Sequence, residues 1–212
     1  MQGPSAMPLK RDQRKVWEKF YRTGERPWKG YKEIDSFLEL VKKGSLVLDA
    51  GSGTGKSSIK YYKDFKIILL DFSMNSLKNS VLKNEKILGN VKSLPFKDQV
   101  FDAIISVHLF EHILEDERYI AMKELMRVLK EKGLLFIESF SVQDFRYGKG
   151  REIEKNTFLR GNNIFTHYFE KEEFFNLLNN FYIIKMEESI IKRKILKNTY
   201  KMVNFVAIGR KI

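Results

Sequence analysis

Short apolar runs alternate with helix-patterned stretches through the middle of the chain, and this alternation constrains the fold more than any other feature. The runs are 45–50 (SLVLDA), 66–71 (KIILLD), 86–91 (KILGNV), 101–107 (FDAIISV) and 133–139 (GLLFIES). Most are apolar at consecutive positions, so each strand must be covered on both faces. The third is weakest, because Gly89 and Asn90 suit a strand poorly. Helical patterning near 55–62, 74–83 and 114–130 separates them, and strand–helix–strand units build parallel sheets. A doubly wound α/β fold with a mostly parallel sheet is therefore expected.

The flanks read differently. Residues 1–9 carry no periodicity and form a disordered lead, while 10–22 place Val16, Trp17, Phe20 and Tyr21 on one side of a basic helix. Gly24, Pro27 and Gly30 break it, and a second helix over 31–42 buries Ile34, Phe37, Leu38 and Val41. Beyond the last run, 141–166 is polar and aperiodic, and 170–179 is helical. Strands at 181–187 and 203–209 then pair as an antiparallel hairpin, with 190–201 as a long basic connection. At 212 residues and 43% hydrophobic content, the chain supports one sizeable core rather than two. The seven-stranded sheet thus belongs to a single domain over 10–212.

Charge is unevenly spread. Residues 1–32 carry nine Lys/Arg and three Asp/Glu, 33–140 carry sixteen of each, and 141–212 carry fourteen and eight. The net charge of +12 sits wholly on the two flanks. Such an excess suits a polyanionic partner, or else a solvated basic surface. The absence of cysteine excludes disulfides and thiolate metal sites, and no metal cluster is expected. No apolar run is long enough to span a membrane and no secretion signal is evident, so a cytoplasmic protein is expected.

Residues 46–58, LVLDAGSGTGKSS, can be parsed in two ways. AGSGTGKS from Ala50 to Ser57 has the spacing of a triphosphate-cradling loop, whereas DAGSGTG from Asp49 to Gly55 is an acid followed by alternating glycines. A carboxylate at Asp49 would repel a triphosphate and welcome a ligand carrying an ammonium and a sulfonium. Asp71, ending the second run, is placed to accept both hydroxyls of a ribose. A nicotinamide enzyme should show GxGxxG, and Gly51, Gly53 and Gly55 do not. On the second parse Lys56 is a solvated residue of a first helical turn.

LVLDAGSGTG, LLDFS at 69–73, NVKSLPFKDQVFDAIISVHLFEHI at 90–113 and MKELMRVLKEKGLLFIES at 122–139 together resemble the Rossmann-like class I S-adenosylmethionine-dependent methyltransferases. The group that includes quinone-biosynthesis and tRNA wobble-uridine methyltransferases is the nearest. The likeness implies a cofactor-binding core over 45–140 and a variable substrate cap over 141–169, followed by the helix and hairpin of 170–212. It places Asp49, Gly51 and Gly53 around the methionine part of the cofactor, Asp71 on the ribose and Phe72 on the adenine. Asn90 stands where the family commonly has an acid, and would read the adenine amino group through its carbonyl. Val91 would offer its backbone; Val107 and His108 would floor the pocket beside the methyl group. WEKFYRTGERPW at 17–28 resembles the amino-terminal segment of tellurite- and thiopurine-type methyltransferases, which makes 10–44 a lid with Tyr21 or Trp28 over the cofactor.

Methyl transfer from a sulfonium needs alignment, and a base only where the nucleophile must lose a proton. His108 is the best-placed base; His112 and His167 read more readily as packing or capping residues, and Glu111 as structural. The fourth run lacks an Asn/Asp-Pro-Pro-aromatic loop, which disfavours exocyclic amines as acceptors. An RNA acceptor, tRNA included, would use the basic flanks for phosphates and Tyr147, Phe165, Tyr168 or Phe169 to stack a base. With a small molecule, such as a quinone precursor, the same aromatics and His167 would line its pocket. An activating subunit, a triphosphatase and a non-catalytic scaffold remain open alternatives.

Overall fold

The computed structural model describes residues 12–23, 34–80, 82–83, 85–195 and 198–212. The expected lead, Trp28, the breakers at 24–30 and the start of the 31–42 helix lie outside the described residues. Seven strands form one sheet: β1 (Leu46–Ala50), β2 (Lys66–Asp71), β3 (Glu85–Leu88), β4 (Phe101–Val107), β5 (Leu129–Phe140), β9 (Phe181–Ile195) and β10 (Asn198–Lys211). Their order is β3-β2-β1-β4-β5-β10-β9. The first five are mutually parallel, and β10 runs antiparallel to both β5 and β9. This is the doubly wound Rossmann-like sheet with its carboxyl-terminal hairpin.

Alternate residues of each central strand enter two separate cores, which is why the strands read as unbroken apolar runs. Leu48, Ile104, Leu135 and Phe205 pack beneath α4 (Glu115–Val128) and α5 (Lys171–Asn176), through Leu125 and Phe174. On the opposite face Val47, Ile105, Leu134 and Val206 meet Ile34, Phe37 and Leu77, of which Phe37 and Leu77 belong to α2 (Asp35–Leu38) and α3 (Met74–Lys78). Full burial contributes roughly 1.5–3 kcal/mol for each large side chain, so both layers are needed to hold the sheet.

Several expected elements differ in extent. No helix forms at 55–62. Instead Gly55, Ser58, Tyr61 and Asp64 each bond the carbonyl three residues back, from Ser52 onward, as a string of turns. Ser58 turns its hydroxyl to Asp49, so it does not serve a helix there. Among the described residues, the helix expected over 31–42 is regular only at 35–38, and that over 74–83 stops at Lys78, where Asn79 donates its side-chain amide to Tyr21 O. β3 ends at Leu88, before Gly89. The aperiodic 141–166 contains a small antiparallel sheet, β6 (Arg151–Glu154), β7 (Thr157–Leu159) and β8 (Phe165–His167). The basic stretch 190–201 is not a connection. It continues both hairpin strands, with Ile195 opposite Asn198.

Candidate cofactor and acceptor site

A cleft of about 900 Å³ opens beyond the carboxyl ends of β1, β2 and β4, where the winding of the sheet reverses. Gly51, Gly53, Asp71, Phe72, Asn90, Val91, Val107 and His108 all line it. The helix α1 (Gln13–Arg22) roofs this half with Trp17, Phe20 and Tyr21. Glu18 holds the roof down by accepting from Ser73 Oγ at 3.1 Å, Met74 N at 2.6 Å and Asn75 N at 3.0 Å. The free amides that start α3 are thus capped from another helix.

The glycines are required by conformation and by space. Gly51 and Gly53 have φ of +69° and +54°, where side chains are disfavoured. A Cβ at Gly51 would come within 2.7 Å of Leu109 Cδ1, and one at Gly53 within 2.7 Å of the Tyr21 hydroxyl. The backbone of this loop can therefore approach a ligand as no other residue type would allow. Asp71 is 6% exposed, and its two oxygens accept from Gly53 N and Ser73 N, both at 2.8 Å. Burial raises its pKa while those amides oppose the rise. The Ser76 hydroxyl adds to their effect, and a carboxylate has about four lone-pair sites, so the group keeps capacity to accept from a ligand hydroxyl. Such a carboxylate, beside a side-chain-free loop and Phe72, fits the ribose and adenine of an adenosyl cofactor.

Asp49 stands apart from the expected set. It does not line the cleft: it is 1% exposed behind the loop, where Ser58 Oγ donates to its carboxylate. Burial pushes its pKa up to about 7, against the effect of the Ser58 hydroxyl. It acts on the site by fixing the loop from behind. Asn90 is exposed, and its side-chain carbonyl already accepts from Lys92 N at 3.0 Å. The triphosphate parse fails on geometry, since no helix amino terminus follows Gly55 to receive phosphates and Lys56 is not part of the cleft wall.

His108 directly follows β4 with φ of +55°, an uncommon backbone for a residue with a side chain. Its Nδ1 lies 2.6 Å from Glu111 Oε1, and its Nε2 lies 3.8 Å from Glu138 Oε1. Glu111 is fully buried and its second oxygen accepts from Ser139 Oγ at 3.0 Å. Burial disfavours the imidazolium, but the Glu111 carboxylate outweighs it and raises the His108 pKa. A histidine held toward its charged form donates hydrogen bonds and serves poorly as a base. His112 is the converse. Its Nδ1 sits 2.8 Å from Phe165 O and must carry the proton, because a carbonyl can only accept. Burial lowers its pKa, so its Nε2 keeps a lone pair in the cleft wall beneath Trp17.

The far half of the cleft was not legible beforehand. Glu138 and Phe140 come from β5, Arg146 and Arg160 from loops, and Ile191, Arg193, Met202 and Asn204 from the hairpin. Arg146 is held by both oxygens of Asp144, with its guanidinium 3.9 Å from the centre of the Phe140 ring. Phe165 lines this half, but other expected acceptor-side residues do not. Tyr147 lies outside the cleft and donates its hydroxyl to Asn156 Oδ1. His167 is 2% exposed and bonded to Thr157 and Glu173, so it joins the small sheet to α5. Tyr168 and Phe169 are completely buried and cannot stack a base.

Comparison with known proteins agrees with this geometry. Residues 48–137 match the family described as a methyltransferase domain. An uncharacterized protein of Methanocaldococcus jannaschii is 43% identical over 110 residues, 50% of this chain and 47% of that one. The tRNA (carboxymethyluridine(34)-5-O)-methyltransferase alkbh8 of Xenopus tropicalis is 32% identical over 145 residues, 67% of this chain and 22% of that one. The ubiquinone/menaquinone biosynthesis C-methyltransferase UbiE of Salmonella arizonae is 33% identical over 114 residues, 48% and 45% of the two chains. This chain thus spans less than half the length of each. Among solved structures, a SAM-dependent methyltransferase of Methanosarcina mazei superposes with a TM-score of 0.74 at 22% identity, covering 85% of this chain and 99% of that one. The 1,6-didemethyltoxoflavin-N1-methyltransferase of Burkholderia thailandensis, determined with S-adenosylhomocysteine, superposes at 0.73 and 16% identity, covering 100% and 93%. Residues 48–137 thus match a methyltransferase domain, and the chain shares its fold with these solved methyltransferases.

Proposed function

We propose that this domain transfers a methyl group from S-adenosylmethionine to an oxygen nucleophile of RNA, in an unpaired segment such as a tRNA loop. Gly51, Gly53, Asp71 and Phe72 would hold the cofactor, which supplies an activated methyl for in-line displacement. The observation that carries the RNA reading is the cationic far wall. Arg160 and Arg193 line the cleft and take part in no ion pair among the described residues, so they are free to meet an anion. The tRNA relative named above supports it, as does the positive charge on both flanks.

The chain's own residues then have distinct tasks. The glycine loop and the α1 roof exclude water from the cofactor half. His108, with Glu111 behind it, offers a hydrogen-bond donor near the floor. His112 can take a proton where the nucleophile carries one, and a nucleophile already ionised would not need it. A quinone-like acceptor is disfavoured, because an apolar ring would desolvate guanidinium groups without pairing them.

Incubation with methyl-labelled S-adenosylmethionine and fractionated cell extract tests the reading. Label should enter the small-RNA fraction and be released by ribonuclease. Label confined to lipid-soluble metabolites would overturn the RNA acceptor and favour a small-molecule one.

A further inference from the structure

Pairing between β5 and β10 ends at Phe140 opposite Asn204, yet β9 and β10 continue together to Ile195 opposite Asn198. About six residues of each strand therefore run on past β5, a length of roughly 20 Å. The base of this arm is braced by the loop that follows β5. Ser141 N donates to Val203 O, Phe145 N to Lys201 O, and Val203 N to Asp144 Oδ2. Beyond Lys201 no such brace is present among the described residues. A two-stranded ribbon left without a third strand is marginal in water unless something else covers it.

Its charge is one-sided in sign. Residues 189–203 hold five Lys/Arg and no acid, and Lys192, Arg193, Lys194 and Lys201 enter no ion pair among the described residues. Directly opposed residues share a face, so Arg193 with Tyr200 and Ile191 with Met202 lie on one side, and Lys192 with Lys201 on the other. The first side is continuous with the cleft, which Ile191, Arg193, Met202 and Asn204 line. At its foot Tyr200 packs on Phe145, 4.7 Å between ring centres, and Lys149 Nζ lies 4.8 Å from the Phe145 ring.

We propose that this arm is a clamp for the RNA strand that carries the acceptor. The cleft side guides one nucleotide inward past Arg193, while Lys192, Lys194 and Lys201 on the outer side meet phosphates of the flanking nucleotides. The inference rests on the RNA reading of the same site and adds the element that grips. A membrane is the poorer occupant, because Ile190 and Ile191 point to opposite faces and no single apolar side exists to insert.

The test is binding of a fluorescein-labelled, unmodified tRNA transcript to the wild-type chain and to the triple variant Lys192→Glu/Lys194→Glu/Lys201→Glu, across a salt series. None of these three residues lines the cleft, so the variant should keep the thermal shift that S-adenosylmethionine induces, which also verifies its folding. Affinity for the transcript should fall at least tenfold near 0.1 M salt. The slope of log K against log salt should shrink by about 2, at roughly 0.7–0.9 per phosphate lost. If the wild type binds and the variant binds equally well with the same slope, the clamp is wrong and the RNA acceptor survives. Failure of the wild type to bind any transcript overturns the acceptor reading itself, and so does binding only to anionic phospholipid vesicles.

Discussion

Asp49 and Asp71 are both buried carboxylates, yet only one faces the cleft, and their titration separates their roles. The Asp49 carboxyl has a pKa near 7 when folded against an ordinary value of 3.8, so folding favours its protonated form. The ligand-free protein should lose stability as pH rises from about 4 to 7, and the cost is complete above that range. Asp49→Asn removes this slope. It should raise the Tm at pH 8 relative to pH 5 by about 4–8 °C more than wild type, the equivalent of about 2 kcal/mol, in paired thermal melts. His108 shifts for another reason, the adjacent Glu111. In an NMR titration the His108 ring should lose its proton above the ordinary 6.5, and Glu111→Gln should move that midpoint downward. With three histidines in the chain, assignment by substitution is direct. A midpoint unmoved by Glu111→Gln would mean that the contact does not hold the ring's charge. His112 carries the opposite shift, and His112→Gln should remove any acid limb of the rate profile for a proton-bearing acceptor.

At the scale of elements, α1 is a roof fastened chiefly through Glu18, with Asn75 and Asn79 adding single hydrogen bonds to its backbone. Glu18→Ala breaks three hydrogen bonds to the start of α3 and should speed cofactor release about tenfold in stopped-flow measurements, for a loss near 1.4 kcal/mol. An unchanged rate would show that the roof is held elsewhere. This scale also shows what a sequence can display. The parallel strands were legible, most clearly the central ones, since double burial leaves an unbroken apolar run such as IILL at 67–70. The hairpin arm was hidden, because Lys192, Arg193 and Lys194 interrupt any apolar period in strands that bury little. The β6–β8 sheet was hidden as well, with strands of three or four residues too short to show a period. Among site residues, Asp71 was readable from its place at a strand end, and the other residues of the glycine loop and strand ends came from the resemblance of their motifs. Arg146, Arg160 and Asn204 reach the cleft only through tertiary folding, and the inward burial of Tyr168 and His167 has no local signature.

Over the whole molecule, the sheet divides the cleft into an adenosyl half built by the strand ends and a cationic half built by the cap and hairpin. The first half predicts ligand-linked stability. S-adenosylmethionine at a hundredfold excess over its Kd should stabilise the fold by about 2.7 kcal/mol, visible as a rise of several degrees in Tm, whereas ATP with magnesium should leave it unchanged. Calorimetric titration with S-adenosylmethionine, comparing wild type with Asp71→Ala, examines the central claim most directly. The account predicts one site in the wild type and a weakening of at least about tenfold in the variant, as expected for losing a charged hydrogen-bond acceptor. Equal affinity in the two proteins, or a wild type that binds only ATP, would contradict it.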